Sequence, residues 1–194
     1  LLRGFLAGAS RVFQPQNTAT REGVVQPDRP ERSGSPESFA AWDSLGYQGR
    51  NFVATGPGAE ELTRINGRPA KEPIRVYVGL QTADTDEARM ALLLSELERS
   101  GAFEREVLVI APTTGTGWIN PIASRALELM YNGDTAIVSS QYSHLPSWIS
   151  FLGDQEKSMA SGRMMIDAVQ NRWAQLPADR RPRLLLYGES LGSM

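Results

Sequence analysis

The pentad Gly188-Glu189-Ser190-Leu191-Gly192 has the residue types and spacing of a serine nucleophile held on a sharp turn. Glycine two residues to either side of Ser190 leaves room inside a strand-to-helix turn too tight for larger side chains. The run RLLLYGES (183–190) predicts an apolar strand leading into it, so the serine falls at a strand's carboxyl end, where α/β sheets carry their sites. Such a serine attacks an acyl carbon, and two backbone amides stabilise the oxyanion that forms. One donor is the amide of Leu191, the residue after the nucleophile. The other is expected at Thr114, Gly115 or Thr116, in the loop Pro112-Thr113-Thr114-Gly115-Thr116-Gly117-Trp118 between a strand and a helix. Gly188 and Gly192 are the elbow glycines. Glu189 is expected to turn away from the serine and to pair with an arginine or cap a turn.

A serine hydroxyl needs a base. The single histidine, His144, precedes the serine and lies beside Leu145 and Pro146, whereas hydrolases with such an elbow supply serine, acid and histidine in that chain order. His144 is therefore read as a packing or loop residue. The base and acid are expected beyond Met194, and residues 1–194 alone are expected to lack esterase activity. Two readings from other classes stay open. One is a non-catalytic α/β module used for binding or scaffolding. The other is a nucleotide-binding domain built on Gly115-x-Gly117, against which Asn120 stands at the third glycine position and Ser139 and Ser140 stand where an acidic residue would hold a ribose.

The elements that must position these residues alternate. Strands are predicted over 74–80, 105–111, 135–141 and 183–188, all parallel. Between them, Asp84 and Glu87 mark the start of a helix with Met90, Leu93, Leu94 and Leu97 on its inner face. Pro121 opens a second helix whose predicted inner face is Ile122, Ala126, Leu129 and Met130. A third runs from about Asp154 to Gln175, with Met159, Gly162, Ile166, Val169 and Trp173 inward. Ahead of this core, residues 1–13 have helix-like apolar spacing, and residues 14–38, polar and proline-rich, read as a mobile linker. Residues 39–73 are expected to be irregular apart from a short helix near Ala59–Ile65. The fold class is α/β, mostly parallel, with helices on both faces, and residues 39–194 form the N-terminal part of a domain incomplete at its C-terminus.

Composition narrows the function. A formal net charge of -2 gives no footprint for nucleic acid. The chain has no cysteine, which excludes disulfide scaffolds, thiol nucleophiles and cysteine-held metals, and one histidine cannot build a multi-histidine metal site. No cofactor or metal is expected. No apolar run reaches the roughly 18 residues that a spanning helix needs.

From about Trp42 to Met194 the chain resembles the actinobacterial α/β-hydrolase family whose catalytic domain follows an N-terminal multi-helix membrane domain. The resembling segments are SLGYQGRNFVATGP (44–57), EPIRVYVGLQTA (72–83), ELERSGAFEREVLVIAPTTGTGWINP (96–121), QYSHLPSWISFL (141–152) and RPRLLLYGESLGS (181–193). His144 departs from that pattern, where tyrosine is expected. The resemblance implies an α/β-hydrolase fold, Ser190 as nucleophile, and attachment to a membrane through a domain upstream of Leu1. The resemblance supplies no substrate; from the serine chemistry alone, a small-molecule or lipid-like ester is expected.

Overall fold

Ile74–Val78, Val107–Ile110, Thr135–Ser140 and Arg183–Leu186 form strands β1 to β4 of one sheet, all parallel, in the spatial order β1-β3-β2-β4. This computed structural model describes residues 17–143 and 155–189. Every residue of β1, β2 and β3 is buried; β2 and β3 are accordingly apolar or small throughout, whereas β1 buries Arg75 and Tyr77 among its apolar residues. β4 lies at one edge of the described sheet, and its Leu186 is largely exposed.

Helices α1 (Gly46–Ala54) and α2 (Ala59–Asn66) precede the sheet; α3 (Asp86–Arg99), α4 (Pro121–Met130) and α5 (Gln155–Ala174) are the crossovers. The steps from β1 to β2 and from β3 to β4 each pass over a strand in one direction, while β2 to β3 steps back. With right-handed crossovers, the reversal sends α4 to the opposite face from α3 and α5. The two cores follow this division. Val76, Val78, Leu108, Ile110 and Val138 pack with Leu93 and Leu97 of α3 and Val169 of α5. Tyr77, Val107, Val109 and Ile137 pack with Phe52 and Val53 of α1 and Leu127 of α4. The change of face between β2 and β3 marks their carboxyl ends as the position where such sheets form a ligand crevice.

Local chemistry sets the helix ends with small departures from expectation. The cap of α3 is Thr85 rather than Asp84: its hydroxyl accepts from the Ala88 amide at 3.1 Å, and the helix begins at Asp86. Helix α1 was not expected, because two glycines depress its intrinsic propensity. Packing overrides this, since a Cβ on Gly49 would lie 2.5 Å from the Tyr77 ring.

Helix α4 reverses its predicted faces. Ile122 is 78% and Met130 66% exposed, while Ser124 and Glu128 are buried. The cause is Arg75 of β1. Its Nε and Nη2 donate to the two Glu128 carboxylate oxygens at 2.7 and 2.8 Å, and its Nη1 donates to the Phe52 carbonyl at 2.7 Å. A buried guanidinium needs such a partner, and this requirement outweighs the apolar stripe in orienting the helix.

The linker expected over 14–38 gives way, in its second half, to packed structure. The Ser33 amide donates to the Arg75 carbonyl at 3.0 Å and the Arg75 amide to the Glu31 carbonyl at 3.1 Å, so residues 31–33 line the free edge of β1. Arg32 is buried, with its guanidinium on the Val53 carbonyl in the last turn of α1 and on the Thr55 and Pro57 carbonyls that follow it. Burial, and then the neighbouring Arg75, lowers its pKa to about 10. The segment's polar residues are satisfied by Glu96, which is wholly buried on α3. Its carboxylate accepts from the Ser33 and Ser38 hydroxyls at 2.8 and 2.9 Å, from the Phe39 amide at 2.7 Å, and from Arg99. Composition registers the lack of apolar residues but not a buried carboxylate 58 residues away that needs donors. Residues 1–13, with their predicted helix, lie outside the described residues.

Burial alone would raise the Glu96 pKa, but hydrogen bonds from Arg99, the Phe39 amide and Ser33 more than offset it and hold the carboxyl below its ordinary value. A depressed folded-state pKa stabilises the fold above the unfolded carboxyl value, about 4.3, and that stability is lost as pH falls through the folded value. Glu96→Gln is therefore expected to cost about 2 kcal/mol at pH 7 and to flatten the acid side of the stability profile. Denaturant melts between pH 3 and 7 check this, and amide exchange is expected to quicken at Ser33 and Phe39.

Candidate active site

The β2–α4 loop and the chain leaving β4 meet at the carboxyl end of the sheet because β2 and β4 are neighbours. The Tyr187 amide donates to the Ile110 carbonyl at 3.0 Å and prolongs their ladder by one residue. Gly188 follows, and Glu189 is the last described residue. Ser190, Leu191 and Gly192 lie outside the described residues, as does His144.

Glu189 does not pair with an arginine among the described residues. Its carboxylate accepts from the Asn120 side-chain amide at 2.8 Å and from the Tyr187 hydroxyl at 2.5 Å. Asn120 is itself the N-cap of α4, its Oδ1 accepting from the Ile122 and Ala123 amides at 2.9 and 3.2 Å with Pro121 at the first helical position. One asparagine thus joins the residue before Ser190 to the end of the glycine loop. The Tyr187 hydroxyl and Asn120 hold the Glu189 carboxyl below its usual range. Burial first, then the Glu189 carboxylate, pushes the Tyr187 phenol up to about 12.

The loop itself is a closed turn. The Thr114 amide donates to the Trp118 carbonyl at 3.2 Å and the Gly117 amide to the Thr114 carbonyl at 2.9 Å. Of the three loop amides expected to face an oxyanion, that of Thr114 is therefore engaged within the loop. Gly117 has φ +89, and a Cβ there would lie 2.4 Å from the Tyr77 hydroxyl. Two buried side chains hold the turn from beneath. The Tyr77 hydroxyl donates to the Gly117 carbonyl at 2.8 Å, and Gln141 Nε2 to the Thr116 carbonyl at 3.1 Å. Below them, the Thr113 hydroxyl donates to the Ser140 carbonyl at 3.0 Å and the Ser139 hydroxyl to the Ala111 carbonyl at 2.5 Å, tying the ends of β2 and β3 together.

Sequence reasoning missed Tyr77, Gln141 and Tyr187, and met Asn120 only as a departure from a dinucleotide fingerprint. The cap was readable, since Asn followed by Pro is a helix-start signal. Nothing local marks Tyr77 or Gln141, whose side-chain partners lie far away in the chain, in the glycine loop and at Asn17. Among the described residues, no group of three or more His, Asp or Glu side chains converges to hold a metal ion.

The close approach at Gly117 has a measurable consequence. Gly117→Ala is expected to destabilise the fold by about 1–2 kcal/mol from the left-handed backbone alone, and further through collision with the Tyr77 hydroxyl. Tyr77→Phe removes that oxygen, so the Gly117→Ala penalty is expected to shrink in its background, as a double-mutant cycle by chemical denaturation would show.

Two family models match the chain. One, described as an alpha/beta-hydrolase family, covers residues 74–194, and the other, described as the N-terminus of that family, covers residues 1–57. No curated protein and no solved structure matches it. The first model takes in the whole parallel sheet, the glycine loop and the GxSxG pentad, and on that match the chain belongs to the alpha/beta-hydrolase family.

Proposed function

We propose that the protein is a serine hydrolase acting on an ester or related acyl bond, with Ser190 as its nucleophile. The observation that carries this reading is the Asn120–Glu189 hydrogen bond, which joins the segment entering the serine turn to the glycine loop. A nucleophile and its oxyanion donors must lie within a few ångströms of one acyl carbon, and the adjacency of β2 and β4, which brings the glycine loop and the chain leaving Tyr187 to one end of the sheet, supports that reading.

In this reading Ser190 Oγ attacks the carbonyl carbon, and the bond to the leaving oxygen breaks as the tetrahedral intermediate collapses to an acyl-enzyme. The Leu191 amide and one amide of the 115–116 stretch hold the oxyanion. A histidine beyond Met194 takes the serine proton and returns it to the leaving alcohol, and a carboxylate orients that histidine. Glu189, fixed on Asn120 and Tyr187, keeps the turn in place rather than exchanging protons. Water then attacks the acyl-enzyme by the reverse sequence. The substrate is a lipid-like or small-molecule ester, and the protein attaches to a membrane through a domain upstream of Leu1. Among the described residues, no helix is long and apolar enough to cross a bilayer.

Fluorophosphonate labelling of the full-length protein tests the reading. Covalent modification is expected at Ser190 and is expected to vanish in Ser190→Ala while the melting temperature stays unchanged. Labelling that persists in Ser190→Ala would place the nucleophile elsewhere. An unlabelled, folded wild type would favour the non-catalytic module. His144→Ala is expected to label like wild type, and loss of labelling there would make His144 the base.

A further inference from the structure

We infer that docking of residues 17–19 sets the conformation of the glycine loop, through a relay from Asn17 to Gln141 to the Thr116 carbonyl. Its catalytic consequence rests on the oxyanion role proposed above; the structural coupling does not.

Gln141 follows β3 directly, is 2% exposed, and is fixed to the sheet by its own amide, which donates to the Val78 carbonyl at 2.9 Å. Its Nε2 carries two hydrogens, and both are placed: one on the Thr116 carbonyl at 3.1 Å, the other on Asn17 Oδ1 at 2.9 Å. The Gln141 Oε1 is buried without a partner, so the amide is oriented by those two acceptors at the expense of its own oxygen. Asn17 is held in turn by Arg50 of α1, whose Nη2 donates to the Asn17 carbonyl at 3.1 Å and to that of Ala19, and whose Nη1 donates to the Asp43 carbonyl at 3.3 Å. The space is built for this arrangement. Gly46 has φ +73, and a Cβ there would stand 2.7 Å from both Asn17 Oδ1 and Gln141 Oε1.

The relay acts beside the stretch expected to hold the oxyanion. Tyr77 orients the Gly117 carbonyl and Gln141 the adjacent Thr116 carbonyl, so together they set the 116–117 and 117–118 peptide planes, which directly follow the peptide that carries the Thr116 amide. Electrostatic stabilisation of an oxyanion depends on donors being oriented before charge develops. With Asn17 absent, the Gln141 amide loses one of its two acceptors and is free to rotate, and the 116–117 peptide loses its hold, which loosens the neighbouring peptide that carries the Thr116 amide. Asn17 and Gln141 are therefore positioning residues. Asn17 belongs to the stretch matched by the N-terminal family model and Thr116 to the stretch matched by the hydrolase model, so the relay links the two.

The test uses the full-length protein with Asn17→Ala, Asn17→Asp and Gln141→Glu. Asp keeps the acceptor for Gln141, whereas Glu keeps the shape of Gln141 and removes both donors. Two readouts are taken: amide exchange over residues 113–119, and kcat and KM on a short-chain nitrophenyl ester. A hydrogen bond worth about 0.5–1.5 kcal/mol corresponds to a change of roughly three- to tenfold. Asn17→Ala and Gln141→Glu are expected to speed exchange over 113–119 by that factor and to lower kcat similarly with KM nearly constant. Asn17→Asp is expected to restore both. Unchanged exchange over 113–119 in Asn17→Ala and Gln141→Glu would overturn the coupling. Faster exchange in a protein whose wild type takes no fluorophosphonate would support the coupling and remove the hydrolase reading instead. Faster exchange with kcat unchanged in a labelled, active enzyme would overturn the catalytic role of the relay.

Discussion

A tyrosine buried in a sheet has one atom that cannot be left unpaired, and the placement of that atom at Tyr77 shapes everything near the candidate site. Burial of the phenol raises its pKa, so the oxygen remains a neutral donor that requires an acceptor. The acceptor is the Gly117 carbonyl, in a loop that leaves a strand two places away in the sheet. The ring imposes a second condition on the helix it touches, where Gly49 stands because no Cβ fits. One side chain therefore prescribes a glycine in α1, a glycine in the β2–α4 loop, and the direction of a carbonyl beside the crevice.

The same logic applies along the outer edge of β1. An open strand edge exposes unpaired amides and carbonyls and invites pairing with another chain. Here the chain's own residues 31–33 occupy that edge, and the buried carboxylate of Glu96 receives the hydroxyls and amide that the segment brings with it. The arm is thus polar for a structural reason. Ser33 and Ser38 satisfy a carboxylate rather than water, and the arm's few apolar side chains are enough because the two apolar cores are built from other elements.

What could be read without coordinates was whatever depended on near neighbours in the chain. Four apolar runs of strand length alternating with helices fixed an α/β class with a parallel sheet, and uninterrupted VLVI announced burial on both faces of β2. The motif at Gly188 was legible for the same reason, as was a start for α4 at Pro121. The larger failures involve partners distant in sequence. Arg75 and Glu128 lie 53 residues apart, and no periodicity within α4 could reveal that its acidic residue faced inward. Ser33 and Glu96 lie 63 apart, so a polar stretch was mistaken for a linker. Tyr77 and Gln141 carry no motif, and their importance is visible only once the sheet order brings them beneath the glycine loop.

The inverted helix α4 bears on how this chain can change over evolutionary time. Arg75 and Glu128 are shut away together, the guanidinium also resting 4.8 Å over the Phe52 ring. Replacing either partner alone strands a charge in the interior, a far larger penalty than replacing both with apolar residues of similar volume. The two positions are therefore expected to be inherited as a unit, since leaving this arrangement takes two substitutions with an unfavourable intermediate between them. In an alignment, positions 75 and 128 should read as one character, and a sequence in which only one has changed should carry its compensation nearby, where Phe52 and Arg32 close the same pocket of charge.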